Sequence, residues 1–568
     1  MVPRCGILLH DMQPDPRSIL LADLDLGGLP DERTRALVSG LLNLVEAVTD
    51  DLRAAQREIQ RLRDEVNRLK GEQGKPTFKP TTPKQPSPDY SSERERHPSR
   101  ERGKRGERAP VPIDREQLLQ VDPASLPPDA EFKGYEDVVV QDVVVRTDNV
   151  LFRKEKFYSP TERRTYLAEL PPGYSGEFGP GIHALVLVFY FACQMTEPKI
   201  RAWLQQVGVQ ISAGAISNLV IKGHAPFHQE KDAVFEAGLR SSPWQQTDDT
   251  ATRVNGHNQH CHIVDNPLHT TYLTLPSKDR LSVIDALRNG QPRVFRYTDD
   301  AEAWLEAAKV SQTTRTKLTH LPREQNLDEA TLSQWLEMHL PNLGVQTRKW
   351  VYDALAVAAY QAQVEWPIVR LLLCDDAPQF TLITDELALC WVHEGRHYKK
   401  LTPTVPLHRK LLDTFLTDFW AFYDELLAYR EQPTPEERTR LAERFEALFR
   451  TPTGYWALDE RMRKSWSKKE SLLLVLTHPE LPLHNNASEL GARQRVRKRA
   501  ISFGPRTAEG VRAWDTFMSL AETTRKVGVN FLHYLHDRIS GANQIPSLAT
   551  IIDERANELD LGASWSPA

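Results

Sequence analysis

Cysteine pairs are missing. The five cysteines, Cys5, Cys193, Cys261, Cys374 and Cys390, are scattered, and no two stand as Cys-x-x-Cys. That argues against a disulfide scaffold and against a cysteine-based zinc ribbon, and it fits a reducing, intracellular compartment. Long apolar runs are missing too. No stretch approaches the length of a bilayer span, and Gly6-Ile7-Leu8-Leu9 is too short for a signal-peptide core and is followed by acidic residues. A soluble, cytoplasmic chain with no membrane partner is expected. An excess of one charge is also missing: 72 Lys and Arg against 77 Asp and Glu leave a net −5. Overall charge therefore does not single out nucleic acid, and any basic site has to be local.

What is present divides the chain. At 568 residues it exceeds one compact core, so several domains are expected. After an N-terminal segment (1–35), Val38, Val45, Leu52, Ile59 and Val66 recur every seventh residue, with Leu41, Val48, Ala55, Leu62 and Leu69 three positions later. These are a and d positions of a parallel two-stranded coiled coil, placed at 36–72. The next stretch, 73–115, is rich in Pro, Ser, Lys, Arg and Glu and reads as a disordered linker. Region 116–235 combines a sheet-rich unit with a helix pair. "EDVVVQDVVVRTDNVLFRKEKFYSP" suggests two strands, and a helix from Glu197 to Val207, a turn at Gly208 and a second helix opened by Ser212 form a helix-turn-helix pattern.

From 236 to 545 the texture is α/β. A three-stranded meander carries Asn-Gly and Asp-Asn-Pro turn signals, a helical stretch spans about 281–364, "PIVRLLLCDDAPQF" is a short strand ending in acids, and 385–540 reads as helical. Residues 546–568 read as a tail. Two apolar strands end in acidic pairs, Asp248-Asp249 and Asp375-Asp376, and Glu489 precedes the basic run Arg493, Arg495, Arg497, Lys498 and Arg499. Three carboxylate sites suit two Mg²⁺ or Mn²⁺ ions rather than zinc, and a neighbouring basic strip suits a phosphate backbone. Strand alternation does not decide between the members of each acidic pair. His257, His260, Cys261 and His262 fall on one strand and point alternately to opposite faces, so all four do not converge on a metal.

In order along the chain, "QTDDT", "LLLCDDAPQF", "CWVHEGRHYKK" and "HNNASELGARQRVRKRAISFG" resemble the signature blocks of IS66-type transposases. The similarity extends to the heptad segment and the helix pair. It implies a multidomain α/β chain with a ribonuclease-H-like mixed sheet interrupted by helical insertions. By position it implies Asp248, Asp375 and Glu489 as catalytic acids and ligands of two Mg²⁺ (or Mn²⁺) ions, with Asp249 and Asp376 as rivals to their neighbours. Asn485, Asn486, His393 and Arg396 would lie near the site, and the basic run would bind DNA. The resemblance further implies element terminal repeats and target DNA as partners, a homodimer through the coiled coil, small accessory proteins of the element, and a bacterial, nucleoid-associated setting. An inactive, transposase-derived DNA-binding regulator is the alternative. Three departures stand out. "VDPASLPPDAEFKGYEDVVV" lacks the family's cysteine-rich zinc module, so no zinc is expected; His484 stands where an Asp commonly precedes the asparagines; and the span between the first two acids is long, making 281–364 a helical insertion.

Overall fold

Asp31 starts the first long helix by accepting the Thr34 N–H at 2.8 Å, and α1 then runs from Glu32 to Leu69. The structure is a computed structural model that describes residues 26–29, 31–70, 112–122, 125–127, 130–174, 176–559 and 561. Most of the expected N-terminal segment and linker lies outside the described residues. The a and d side chains of α1 are largely exposed, among them Leu41, Val45, Val48, Leu52, Ile59, Leu62 and Val66. Its opposite face is docked on the body of the protein. Asn43 donates to the Gly454 carbonyl at 2.8 Å and accepts from the Trp456 N–H at 2.9 Å. Glu46 receives the N–H groups of Thr404 and Val405 and lies 3.1 Å from His408 Nδ1. Burial alone would raise the Glu46 carboxyl, yet these donors hold it below its ordinary value.

The first hairpin is β1 (Lys156–Ser159) with β2 (Arg164–Leu167). Among the described residues of 116–155 there is no strand, contrary to expectation. Val138–Val140 and Val143–Val145 are exposed there; a β-branched run without a neighbouring strand has no ladder to join. Helices α2 (Pro180–Leu187), α3 (Glu197–Gln206), α4 (Ala213–Ile221) and α5 (Ala225–Arg240) follow. The expected helix pair is present as α3 and α4, with Gly208 at φ +89° in the turn and Ser212 capping α4.

A mixed five-stranded sheet forms the centre, in the order β5-β4-β3-β8-β9, from β3 (Gln245–Val254), β4 (His257–Asp265), β5 (Thr270–Leu275), β8 (Leu371–Cys374) and β9 (Glu386–Leu389). Strands β3, β4 and β5 are antiparallel, whereas β8 runs parallel to β3 and β9 parallel to β8. Asn255 and Gly256, both at positive φ, make the β3–β4 turn. Between β5 and β8 lies a mostly helical insertion: α6 (Arg280–Leu287), α7 (Asp299–Ala307), α8 (Gln312–Leu318), α9 (Glu329–His339) and α10 (Val345–Gln361), with the small pair β6 (Phe295–Arg296) and β7 (Asn326–Leu327).

After β9, a strand inside the stretch expected to be helical, come α11 (Trp391–Lys399), α12 (Pro406–Glu431), α13 (Pro435–Arg450), α14 (Trp456–Trp466), α15 (Lys469–Leu472), α16 (Asn486–Ser502), α17 (Ala508–Lys526), α18 (Phe531–Ile539) and α19 (Leu548–Leu559). The chain is thus a multidomain α/β protein. Its largest core joins the insertion to α11–α14 through residues such as Leu355, Trp391, Phe419 and Phe445. A second core joins Ile200, Leu204, Ile216 and Val220 of the helix pair to Ile263 and Tyr272 of the sheet, Trp514 and Phe517 of α17, and Leu548 and Ile552 of α19. The helix pair and the expected tail are therefore built into the packing around the sheet. Among the described residues no helix is long and apolar enough to cross a membrane.

Candidate active site

Register brings the first two acids into one neighbourhood. Gln245 pairs with Leu372 and Gln246 with Leu373; Asp248 lies two residues further along β3 and Asp375 just past the end of β8, and the Asp375 charge acts on Asp248. The third acid arrives on α16, whose inward face is made of small and polar residues. Gly491 lets the helix approach: a Cβ there would meet Ile263 Cγ2 at 3.1 Å, and the Gly491 carbonyl accepts the Tyr272 hydroxyl at 3.0 Å. Ser488 donates to Asp265 at 2.9 Å. These contacts fix the first turn of α16 against β4 and β5 and bring Glu489 to the acids.

Arg396 and Arg493 partly offset the charge at Glu489, whereas the charged neighbours acting on Asp248 are acids. Burial, followed by the charges of Asp375, Asp249 and Glu489, pushes the Asp248 carboxyl up from 3.8 to about 7, although its Oδ1 accepts the Asp249 N–H. Asp375 is raised as well, mainly by burial. Burial and then the Arg396 charge lower His393, while Glu489 and Asp375 act on it in the opposite sense. Asp248, Asp375, Glu489 and His393 thus occupy one electrostatic neighbourhood. Within the acidic pairs, Asp376 is bonded to Lys468, whereas Asp249 meets Gln379 at 3.3 Å and His260 at 3.8 Å. Asp248 feels both other acids, and Asp249 in turn raises Asp375.

Around Glu489, Arg396 Nη1 and His393 Nε2 lie 3.3 and 3.5 Å from Oε1. Asn486 opens α16, and its N–H donates to His484 Nδ1 at 3.2 Å. Asn485 is fully buried and its amide faces His393, but the two side chains meet without a well-formed hydrogen bond, so the Asn485 amide and His393 Nδ1 are poorly satisfied. Poorly satisfied polar atoms beside three hard-oxygen acids, one of them held half-protonated near neutrality, fit a site that accepts a divalent cation. Residues that would hold it are Asp248, Asp375 and Glu489.

A tighter cluster lies next to this one, on the same two motif blocks that carry Asp375 and His393. Asp376, Glu394 and His397 place donor atoms within 4.8 Å of one another, as no other trio of His, Cys, Asp or Glu does among the described residues. Lys468 reaches both Asp376 and Glu394, and Arg461 and Ser465 also bond Glu394. Two cationic side chains already satisfy these carboxylates, so the cluster reads as an ion-pair network that orients α11. The oxygens of Asp248, Asp375 and Glu489 are not all that close, and a donor set shared by two ions about 3.5–4 Å apart does not require it.

The basic run needs correction. Arg495 and Lys498 are fully buried and cannot grip DNA. Arg495 bonds Thr274 at 2.8 Å and Asp515 at 3.1 Å and stacks over Trp514. Lys498 donates to the Tyr190 carbonyl at 2.5 Å and sits 3.2 Å from the centre of that ring; burial lowers its ammonium to about 7. The helical period explains the split: Ser488, Gly491, Ala492, Arg495 and Lys498 share the inward face, while Arg493 and Arg497 are exposed and Arg499 is half-buried. Lys498→Met is expected to leave DNA affinity within about twofold, whereas Arg493→Ala with Arg497→Ala should weaken it and flatten its salt dependence. Fluorescence anisotropy over a salt series reads both. Loss of affinity in Lys498→Met alone would return that residue to the DNA-binding set.

No family model matches the chain. Over 333 residues, 57% of this chain and the full length of the other, it is 31% identical to the uncharacterized protein y4jO of Sinorhizobium fredii.

Proposed function

The chain belongs to the family of that rhizobial protein, whose name assigns no activity, and from the chain's own residues we propose that it is a DNA transposase of an insertion sequence, of the IS66 type, with a ribonuclease-H-like catalytic domain. The observation that carries the reading is the placement of three acids on a β5-β4-β3-β8-β9 mixed sheet: Asp248 within the central strand, Asp375 just past the adjacent parallel strand, and Glu489 in the first turn of a helix laid on the sheet. The four motif blocks noted in the sequence fall on these elements and on α11.

The reaction is hydrolysis of a phosphodiester at the element's end, which leaves a 3′-hydroxyl, followed by attack of that hydroxyl on a target phosphodiester with release of a new 3′-hydroxyl. Bound Mg²⁺ or Mn²⁺ would supply activation of the attacking oxygen and stabilisation of the leaving one. Asp248, Asp375 and Glu489 supply the ligand oxygens, Arg493, Arg497 and Arg499 hold the DNA backbone, and the α3–α4 pair offers a helix for groove contact. Purified protein with Mg²⁺ and DNA carrying element ends should produce a new 3′-hydroxyl at the boundary. DNA binding without any nick would favour the inactive regulator, and no DNA binding would remove the reading altogether.

Two copies are needed to hold two ends, and the exposed stripe of α1 supplies a pairing surface. Leu52→Glu with Ile59→Glu places charge at two successive a positions. The variant is expected to sediment as a monomer at micromolar concentration where the parent chain is a dimer. A doubly substituted chain that stays dimeric would locate the dimer contact elsewhere.

A further inference from the structure

Glu489 is already engaged by cationic side chains. Arg396 straddles the carboxylate, with Nη1 3.3 Å from Oε1 and Nη2 3.4 Å from Oε2. Arg493 Nη2 lies 3.5 Å from Oε2, and His393 Nε2, itself 2.8 Å from Arg396 Nη1, lies 3.5 Å from Oε1. Charge-assisted hydrogen bonds normally close to about 2.7–2.9 Å, so the grip is loose. It is also lopsided. The Glu489 side chain is 14% exposed and fixed by the helix that carries it, whereas the Arg396 side chain is 45% exposed and reaches in from the solvent edge. Of the two, Arg396 is free to swing away. A divalent cation and a guanidinium cannot use the same two oxygens together, so whatever draws Arg396 off makes Glu489 available.

We propose that Arg396 couples DNA binding to metal loading: without DNA it pairs with Glu489, and when DNA enters it transfers to a phosphodiester oxygen and leaves Glu489 to the cation. This rests on the transposase reading and assigns Arg396 as a positioning residue. Arginine is suited to the exchange, because its planar fork matches a phosphate as well as a carboxylate. The bonds to Glu489 are long enough to yield, and a phosphodiester brings a full negative charge to a residue at the solvent edge. His393 Nε2 accepts from Arg396 Nη1 at 2.8 Å; once Arg396 leaves, that nitrogen is released to donate to Glu489 Oε1, 3.5 Å away, and keep the vacated carboxylate oriented. The arrangement weakens cation loading until a substrate phosphate is in place.

The test is Mn²⁺ binding by the full chain, followed by electron paramagnetic resonance, with and without a short DNA duplex. In the parent chain, Mn²⁺ affinity should rise when duplex is added. Arg396→Ala should bind Mn²⁺ about three- to tenfold more tightly than the parent without DNA, the effect of removing a partly exposed competing ion pair, and should show no further gain with duplex. Arg396→Lys, which keeps the charge but loses the fork, should fall between the two. Glu489→Gln should lose the Mn²⁺ site in either condition. If Glu489→Gln loses the site but Arg396→Ala binds Mn²⁺ no more tightly than the parent, the coupling is wrong and the metal reading stands. If Glu489→Gln binds Mn²⁺ as the parent does, the transposase reading falls, and the coupling with it.

Discussion

Glu489→Gln is expected to reduce DNA cleavage by about 10³-fold or more while DNA affinity persists. Glutamine keeps the shape of the side chain and its place in the first turn of α16, where the backbone N–H donates to the Asn485 carbonyl at 3.1 Å. What it removes is the negative charge that a hard divalent cation requires. On the proposed reading DNA affinity would rest on exposed arginines and counterion release, and losing an anion beside Arg396 and Arg493 would not weaken it. Asp248→Asn and Asp375→Asn should each behave like Glu489→Gln, and combining them should cost little more, as expected of groups that act as one unit. Glu509→Gln, in the first turn of α17, serves as the control and should cleave normally. The measurement is the yield of new 3′-hydroxyl on end-labelled DNA under single-turnover conditions. Parent-level cleavage by Glu489→Gln would return Glu489 to an ordinary helix-surface acid.

Asp248→Asn should also make the metal-free protein more stable at pH 8 than the parent chain, and hardly so at pH 4. The sign follows from the carboxyl being raised to about 7 in the fold from 3.8. Near pH 4 the folded group is neutral and the unfolded group is only about half ionised, so the residue costs little. As pH rises toward 7 the unfolded chain ionises while the folded one resists, and stability is lost across that window. Above about 7 the loss is complete, up to about 4 kcal/mol for a shift of this size. Asparagine carries no charge in either state and keeps an oxygen to accept the Asp249 N–H. Urea unfolding in chelator at the two pH values gives the comparison. An equal effect of the substitution at both would mean that the site is not electrostatically strained. Added Mg²⁺ should narrow the gap at pH 8 by stabilising the parent alone.

Asp375 was legible because it follows an apolar strand, and Glu489 because it follows a helix start; Asp248 instead lies inside β3, behind Gln245, Gln246 and Thr247, and not at the strand end that its acidic pair suggested. The β3–β4 turn was legible through Asn255-Gly256, and the insertion through its helical spacing. Other features gave weaker signals. Strand β9 has only Glu386–Leu389, too short for alternation to show. The Val138–Val145 run has strand composition but no partner, and composition does not reveal whether a partner exists. In α16 the inward face is Ser, Gly, Ala, Arg and Lys, so no apolar stripe separates inside from outside and the buried cations read as part of a solvated strip. The docked face of α1 was hidden for a related reason. Asn43 and Glu46 occupy outer heptad positions that ordinarily face water, and only their distant partners, residues 404–408 and 454–456, make them internal.

The parallel pairing of β3 with β8 also sets an order of events during folding. The meander β3–β4–β5 closes through short turns and the insertion is rich in local helical contacts, so both can form early. Joining β3 to β8 closes a loop of more than a hundred residues, and seating α16 on the sheet closes another; such closures come late, because their entropy is lost before their contacts are gained. Asp248, Asp375 and Glu489 therefore stay apart while most of the molecule assembles, and their mutual repulsion does not burden the early steps. A ribosome that has not yet released the segment around residue 502 holds a chain with two of the three acids, so on the proposed reading DNA cleavage would have to wait until α16 has emerged.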